Sequence, residues 1–147
     1  MVTIGAAAGR QRGEARRRAR CLVVEVLYEW DIAHHDPWVS LERVLPQESQ
    51  VEADYARKLL RDIVEHKEQF DRLIQRYAPA WPLDQMAAID RNVLRLAFSE
   101  LFFSDDVPPK VAVNEAVEIA RDYAGEPSSR FVNGVLGKHL AQAPHKK

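Results

Sequence analysis

The segment EARRRARCLVVEVLYEW, residues 14–30, runs a block of arginines straight into an apolar helical pattern. The arginines stand at Arg16, Arg17, Arg18 and Arg20. A disordered basic tail is usually separated from a folded domain by Gly, Ser or Pro, and none of these follows the arginines here. We therefore expect the fold itself to hold the arginines in place.

The rest of the chain repeats the same helical spacing of apolar residues. Along residues 14–34 they recur at intervals of three and four, until Asp36-Pro37 ends the pattern. Gly125 stands where a helix C-cap is expected, and Ser128 or Ser129 offers an N-cap for the next helix. No segment alternates as a strand does, so the sequence predicts an all-α protein. The predicted helices cover residues 14–34, 38–45, 50–77, 86–104, 110–124 and 129–141.

The composition is that of an ordinary globular chain. Of its 147 residues 46% are hydrophobic and 29% are charged, which suits one domain with its own core. The single cysteine, Cys21, excludes an internal disulfide framework and fits a reducing compartment. No early stretch resembles a signal peptide, and no apolar run approaches the roughly 20 residues that span a bilayer. We expect a cytoplasmic protein with a disordered basic leader at 1–13, one domain at 14–141 and a flexible tail at 142–147.

The charge is distributed unevenly along the chain. Residues 1–20 hold six arginines and one glutamate, which gives them a charge of +5. Because the net charge of the whole chain is −1, the other residues carry −6. A basic end on an acidic body indicates a surface that binds a polyanion. A solvated charged terminus without a ligand is the alternative interpretation, and the charge alone does not separate the two.

Catalytic and metal-binding motifs are missing from the sequence. It has no Gly-rich phosphate loop, no paired cysteines and no HExxH arrangement. His34 and His35 are adjacent, so on a helix they would point about 100° apart and make a poor metal clamp. The sequence therefore predicts a binding protein rather than an enzyme, with no metal, cofactor or small-molecule substrate.

Helix geometry predicts that one face of the first helix is exposed to solvent. Arg17, Cys21, Val24 and Tyr28 follow one another at intervals of 4, 3 and 4 and form one stripe, opposite the apolar residues. An exposed aromatic ring beside guanidinium groups suits single-stranded RNA, because the ring stacks on a base while the arginines contact phosphates. The alternative for Tyr28 is a partly buried core tyrosine.

The start of the last helix offers a second basic and aromatic element, EPSSRFVNG, residues 126–134. Unpaired backbone N–H groups and the helix dipole attract phosphate to such a position. A capped helix start without a ligand is the alternative. Gly134 and Gly137, inside the same helix, indicate a close approach of another backbone, either from within the fold or from a partner or nucleic acid.

Four motifs, taken together and in this order, resemble the NusB family of bacterial transcription antitermination factors. They are ARRRARCLVVEVLYEWDIA, DRNVLRLAFSELFF, DVPPKVAVNEAVEIA and SSRFVNGVLGK, and the resemblance covers roughly Glu14 to Lys138. It implies an all-helical fold of about seven helices in two packed bundles. It also implies binding to single-stranded boxA RNA together with NusE, a small-subunit ribosomal protein. The heterodimer would join an antitermination complex on RNA polymerase and promote processive transcription of ribosomal RNA operons.

The resemblance also implies which residues bind. It assigns RNA binding to the first helix and to the start of the last one, and NusE binding to the helix that holds DRNVLRLAFSEL. The implied RNA-binding residues are Arg16, Arg17, Arg18, Arg20, Tyr28, Ser129, Arg130, Phe131 and Asn133, and the implied NusE contacts are Asp90 and Glu100. Pro127 departs from the family pattern and removes one N–H donor beside the RNA site.

Two other functions fit part of the pattern. A NusB-like domain also forms the N-terminal part of ribosomal RNA cytosine methyltransferases, but such an enzyme would continue far beyond Lys147. A helical protein–protein adaptor with an incidental arginine block is the second. RNA binding would weaken with salt, whereas an adaptor would show little RNA affinity at any salt concentration.

Overall fold

The computed structural model describes residues 4–143 and residue 145, with side chains from residue 9 onward. Within this part of the chain there are six α-helices, one 3₁₀ helix and no strand, which confirms the all-α prediction with one α-helix fewer than the seven expected. The helices are α1 (Ile4–Ala33), α2 (Pro37–Val44), α3 (Gln50–Tyr77), the 3₁₀ helix (Leu83–Gln85), α4 (Ala88–Phe103), α5 (Pro109–Ala124) and α6 (Glu126–Gln142). None of these helices combines the length and apolarity that crossing a membrane requires.

Local capping signals explain most of the boundaries. The Asp36 carboxylate accepts hydrogen bonds from the backbone N–H groups of Trp38 and Val39, at 2.8 and 3.2 Å, and so caps α2. Pro109 occupies the first position of α5, where a missing N–H costs nothing. Gly125, with φ +90°, ends α5 in a conformation that L side chains avoid. These three boundaries therefore follow from short-range chemistry that the sequence displays.

The first helix is longer than the sequence predicts. It begins at Ile4, so residues 4–13, which belong to the predicted leader, continue the helix that was predicted at 14–34. Ala and Arg are among the best helix formers, so the three alanines with Arg10 and Arg12 favour a helix here, whereas Gly5, Gly9 and Gly13 oppose it. Residues 1–3 of the predicted leader, and Pro144, Lys146 and Lys147 of the predicted tail, lie outside the described residues.

The chain divides into two compact units at Leu60 and Arg61, whereas the sequence predicts a single domain at 14–141. The first unit contains α1, α2 and the start of α3, and the second contains the remainder of α3 and the helices that follow. Long α3 is bent in the second unit at His66, whose φ and ψ of −120° and 16° are not helical. The imidazole of His66 stacks on Phe103, with 4.1 Å between the ring centroids.

The core of the second unit is built around α4, which is buried on nearly every side. Ten consecutive residues, 92–101, are buried. Arg95 is among them, and its Nε and Nη2 donate to the two Asp71 oxygens at 2.7 and 3.2 Å, while its Nη1 donates to Asn92 at 2.8 Å. A buried charge is tolerated only when it is paired and hydrogen-bonded in this way.

His139 lies in the aromatic part of this core. Its side chain is 1% exposed and packs edge-on against Phe98, with 5.1 Å between the ring centroids. Nδ1 lies 3.2 Å from the Tyr77 hydroxyl, and Nε2 lies 2.7 Å from Nε2 of His145. Burial, with the charges of His145 and Arg76, lowers the pKa of His139 from 6.5 to about 4. The folded protein therefore holds this imidazole neutral.

We expect His139 to make the fold sensitive to mild acid. As the pH falls below 6.5, the unfolded chain binds a proton that the folded chain refuses until about pH 4. The free energy of unfolding should drop by about 2 kcal/mol between pH 7 and pH 5. Urea unfolding at the two pH values measures this drop, and His139→Gln should reduce it; an equal drop in the variant would assign the effect to other groups.

Candidate nucleic-acid interface

The arginines of α1 are anchored on the first turns of α3. The guanidinium carbon of Arg16 lies 4.5 Å from the centroid of the Tyr55 ring, and that of Arg20 lies 5.6 Å from it. Tyr55 is 5% exposed, so both cations stack on a desolvated ring, where a cation–π contact is strongest. This confirms the expectation that the fold holds the arginines in place.

Arg18 has a separate anchor on the same stretch of α3. Its Nε donates to Glu52 Oε1 at 2.7 Å, and the Glu52 side chain is 8% exposed, whereas that of Arg18 is 56% exposed. A guanidinium carries five N–H donors, so one bond to Glu52 fixes the side chain without exhausting its donors. Arg18 is thus held by a buried carboxylate and still presents positive charge to solvent.

Burial divides the predicted stripe of α1 into two kinds of residue. Tyr28 is 42% exposed and Arg17 is also exposed, so their predicted outward position is confirmed, while a contact with RNA stays a prediction. Val24 is fully buried, so the outward position predicted for it is wrong, and Arg20, which the resemblance assigns to RNA binding, is only 4% exposed. Arg20 packs against Tyr55 and is unsuited to meet a phosphate on the surface.

A cavity of about 290 Å³ lies beside the arginine anchor, within the first unit. Its lining joins one aromatic ring with three cations and one carboxylate, from Arg12, Arg16, Val51, Asp54, Tyr55 and Lys58. The cationic excess and the ring suit a polyanion with flat bases better than an apolar ligand. Sequence analysis missed Glu52, Tyr55 and Lys58, because nothing local to α3 indicates which residues of α1 they meet.

The start of α6 differs from the predicted capping. The helix begins at Glu126 and Gly125 is its N-cap, so Ser128 and Ser129 lie inside it. Ser129 is 2% exposed, and its hydroxyl donates to the Glu126 carbonyl at 2.9 Å. The prediction of Ser128 or Ser129 as N-cap is wrong, and the hydroxyl of Ser129 faces the fold. Pro127 stands in the first turn, where its missing N–H breaks no helical hydrogen bond.

Beyond the first turn, α6 presents a basic and polar face. The Arg130 side chain is 72% exposed, with Nη1 4.0 Å from Glu126 Oε2, and Asn133 is exposed as well. Gly134 and Gly137 are exposed, and a Cβ built on either would meet nothing within 4 Å in the described structure. Packing within the described fold therefore does not require glycine at either position, and an approach by a partner stays a prediction.

Phe131 contributes to a cavity of about 270 Å³ in the second unit. The lining comes from the 3₁₀ region, from the start of α4 and from α6, through Trp81, Gln85, Met86, Ala87, Asp90, Pro127, Ser128 and Phe131. The indole of Trp81 is 56% exposed. Sequence analysis did not assign Trp81 to a site. Its position between Pro79 and Pro82, which indicate a turn, could have pointed to an exposed tryptophan.

The predicted NusE contacts, Asp90 and Glu100, are not on the surface. Glu100 is 1% exposed and Asp90 is 9% exposed, because α4 is enclosed by its neighbours on nearly all sides. The surface position expected of both carboxylates is wrong. Burial raises the pKa of Asp90, and a hydrogen bond from Ser128 opposes this shift in part. Among the described residues, no group of three or more His, Cys, Asp or Glu could hold a metal ion.

Each of the two units therefore holds its own candidate binding element. The first unit provides anchored arginines with Tyr28 outward, and the second provides Arg130, Phe131 and Asn133. Basic and aromatic surfaces on two helices of an all-α fold are the features expected of helical proteins that bind nucleic acid. Comparison with known proteins identifies the family within that class.

The NusB family model matches residues 17–141, and the chain belongs to this family. The transcription antitermination protein NusB of Dehalococcoides mccartyi is 48% identical over 124 residues, 83% of this chain and 87% of that protein. The NusB of Symbiobacterium thermophilum is 43% identical over 133 residues, 84% and 87% of the two chains.

Solved structures of the family share the fold. The structure of T. maritima NusB has a TM-score of 0.82 and 38% identity, and the match covers 89% of this chain and 93% of that one. A crystal structure of the antitermination factors NusB and NusE with dsRNA matches with a TM-score of 0.79 and 30% identity, over 88% and 98% of the chains.

We expect the Tyr55 ring to stabilise the first unit through the arginines. Tyr55→Leu keeps an apolar side chain but removes the ring under two guanidinium groups, so the free energy of unfolding should fall by about 1–2 kcal/mol. Tyr55→Phe keeps the ring and should lose less. Chemical denaturation of the three proteins measures the difference, and equal losses in both variants would show that the hydroxyl, not the ring, is responsible.

Proposed function

We propose that this protein is a transcription antitermination factor that binds single-stranded boxA RNA together with NusE. In this function it joins the antitermination complex on RNA polymerase and promotes processive transcription of ribosomal RNA operons. Membership of the NusB family supports the proposal, as does the NusB–NusE–RNA complex among its structural relatives. The protein acts in the cytoplasm as a binding protein rather than an enzyme.

The observation that carries the proposal is the anchoring of the arginine block. Arginines in a solvated tail sample many conformations, so ordering them on RNA costs side-chain entropy. Here Arg16 is fixed on Tyr55 and Arg18 on Glu52 before any RNA arrives. Preorganised guanidinium groups lose less entropy on binding and hold phosphates at a defined spacing.

We select the residues proposed to contact RNA by their exposure in the structure as well as by the family pattern. On α1 they are Arg16, Arg17, Arg18 and Tyr28, and on α6 they are Arg130, Phe131 and Asn133. Arg20 and Ser129, both buried, are proposed to support the neighbouring contacts from inside the fold. For NusE we retain the acidic body of the chain as the attractive surface for a basic ribosomal protein.

Binding of a labelled boxA RNA tests the function directly. Fluorescence anisotropy should show tighter binding to boxA than to a base-scrambled RNA of equal length, and NusE should strengthen it. The affinity should also fall with salt, with a log–log slope of about −0.7 for each phosphate contact. Equal binding to both RNAs would contradict specific recognition, and negligible binding at low salt would favour the adaptor function.

Arg17 is the residue of α1 best suited to test the phosphate contacts. Because Arg17 is exposed, Arg17→Ala should weaken boxA binding by roughly tenfold and make the salt slope shallower by about 0.7, with little change in thermal midpoint. The matched control is Arg57→Ala, which removes an exposed arginine of α3 that pairs with Glu42. An equal loss in the control would mean that overall charge, not this surface, sets the affinity.

A further inference from the structure

His145 lies beyond the end of α6, and its imidazole returns to the fold. Residues 141–143, where α6 ends, are exposed, whereas His145 is half-buried. Its ring packs edge-on against Phe102 of α4, with 4.8 Å between the ring centroids, and its centroid lies 5.0 Å from that of His139 on α6. The two Nε2 atoms are 2.7 Å apart, which is a hydrogen-bond distance. This one side chain therefore contacts two helices of the second unit.

The neighbours of the two imidazoles determine which nitrogen carries the proton. A neutral imidazole has one N–H donor and one acceptor. The Leu101 carbonyl accepts a hydrogen bond from His145, so Nε2 of His145 is the acceptor in the histidine pair. His139 then donates through its Nε2, and its Nδ1 accepts from the Tyr77 hydroxyl at 3.2 Å. Hydrogen bonds thus run in one direction, from Tyr77 through both imidazoles to Leu101.

The surroundings of the pair are aromatic or basic. From α3, Arg76 is the charged group that acts on His139, and on α6 the Lys138 Nζ lies 3.5 Å from the Tyr77 carbonyl oxygen. The α4 side chains that the pair contacts are aromatic. Among the described residues, no carboxylate contributes to the pKa shift of either imidazole. Only the Leu101 carbonyl therefore favours a positive charge on the pair.

An added proton conflicts with this chain of hydrogen bonds. On His145 it would occupy Nε2 and face the N–H of His139, and on His139 it would occupy Nδ1 and face the Tyr77 hydroxyl proton. Burial lowers the pKa of both imidazoles. His139 is inside α6 and 1% exposed, so it cannot reach water while the helix stays folded. His145 can reach water when the end of the chain alone moves.

The His145 clasp, as we name the contact of His145 with His139, Phe102 and Leu101, should therefore depend on pH. Below pH 6.5 a released His145 binds a proton that the clasped ring, with its lowered pKa, binds less well. The clasp is then strongest above pH 6.5 and weakens as the pH falls below that value. Histidine is the side chain that ordinarily titrates in this range.

We propose that His145 is an acid-released clasp, which fastens the end of the chain to α4 and α6 at neutral pH through its hydrogen bond with His139 and its packing on Phe102. The proposal does not depend on RNA binding. It explains why a polar ring beyond the end of α6 is half-buried against aromatic side chains.

Nuclear magnetic resonance of the full chain tests the clasp. The {¹H}–¹⁵N heteronuclear NOE of the His145 amide should be close to that of α6 at pH 7.5 and should fall at pH 5, as the segment becomes mobile. The equilibrium constant for clasping should fall by up to about thirtyfold, the limit reached if the released ring titrates at 6.5 and the clasped ring does not. Unchanged values along α4 would verify that the second unit stays folded.

Two variants assign the change to His145. His145→Ala should give a low, pH-independent NOE at residue 145, because the side chain that fastens the segment is absent. His34→Asn is the matched control, since it removes an exposed histidine of the first unit, and Asn tolerates the φ of +60° at this position. The control should release its C-terminal segment at the same pH as wild type.

A third variant tests the direction of the hydrogen bonds. Tyr77→Phe keeps the ring but removes the hydroxyl that donates to Nδ1 of His139, so the tautomer that donates to His145 is no longer favoured. The clasp should weaken severalfold, and its release should move to a higher pH. An unchanged release would overturn the hydrogen-bond chain as the basis of the clasp.

Three results would overturn the proposal as a whole. The first is a His145 amide that is already mobile at pH 7.5 in wild type, and the second is one that stays equally ordered at pH 7.5 and pH 5. The third is an unchanged pH dependence in His145→Ala, which would assign the movement to another titrating group.

Discussion

The stacking of two arginines on one buried tyrosine is the contact on which the basic surface depends. Arg16, Arg17, Arg18 and Arg20 crowd four positive charges into five positions, and their mutual repulsion opposes a helix at that point. The ring of Tyr55 and the carboxylate of Glu52 supply negative potential from the fold side. The repulsion is thereby offset inside the protein, and the outer face keeps its positive charge for a ligand.

The second unit handles its buried charges in two different ways. Arg95 and Asp71 form a paired and hydrogen-bonded network with Asn92, which is the arrangement expected when charge is buried for structure. Asp90 lies five positions earlier on the same helix and lines a cavity, and its Oδ1 has no hydrogen-bond partner among the described residues. The two carboxylates thus differ: Asp71 pairs with Arg95, whereas Asp90 is satisfied only in part, by Ser128.

The sequence predicted the helices well because their boundaries depend on neighbouring residues. Asp36-Pro37 and Gly125 act through local hydrogen bonds and backbone torsions, and both mark helix boundaries in the structure, as expected. The start of α1 was not predicted, since composition alone did not reveal that residues 4–13 continue the helix.

Burial of polar residues could not be predicted in the same way. Periodicity divides a helix into an apolar and a polar face, and it fails where a helix is enclosed on nearly all sides, as α4 is around Glu100. Periodicity also fails for Arg20, because its guanidinium packs on the Tyr55 ring of α3 and only tertiary packing brings the two together. The exposed site residues, Arg17, Tyr28 and Arg130, were the ones that helix geometry and motif could place.

Gly125 joins two helices without any intervening loop. It is at once the C-cap of α5 and the N-cap of α6, so the direction and rotation of α6 follow from the torsions of a single residue. One residue inserted at this junction would add two backbone torsions and so change the direction and rotation of α6, together with the positions of Arg130 and Asn133. The length of the α5–α6 connection is thus a part of the binding surface, although Gly125 itself supplies no side chain to it.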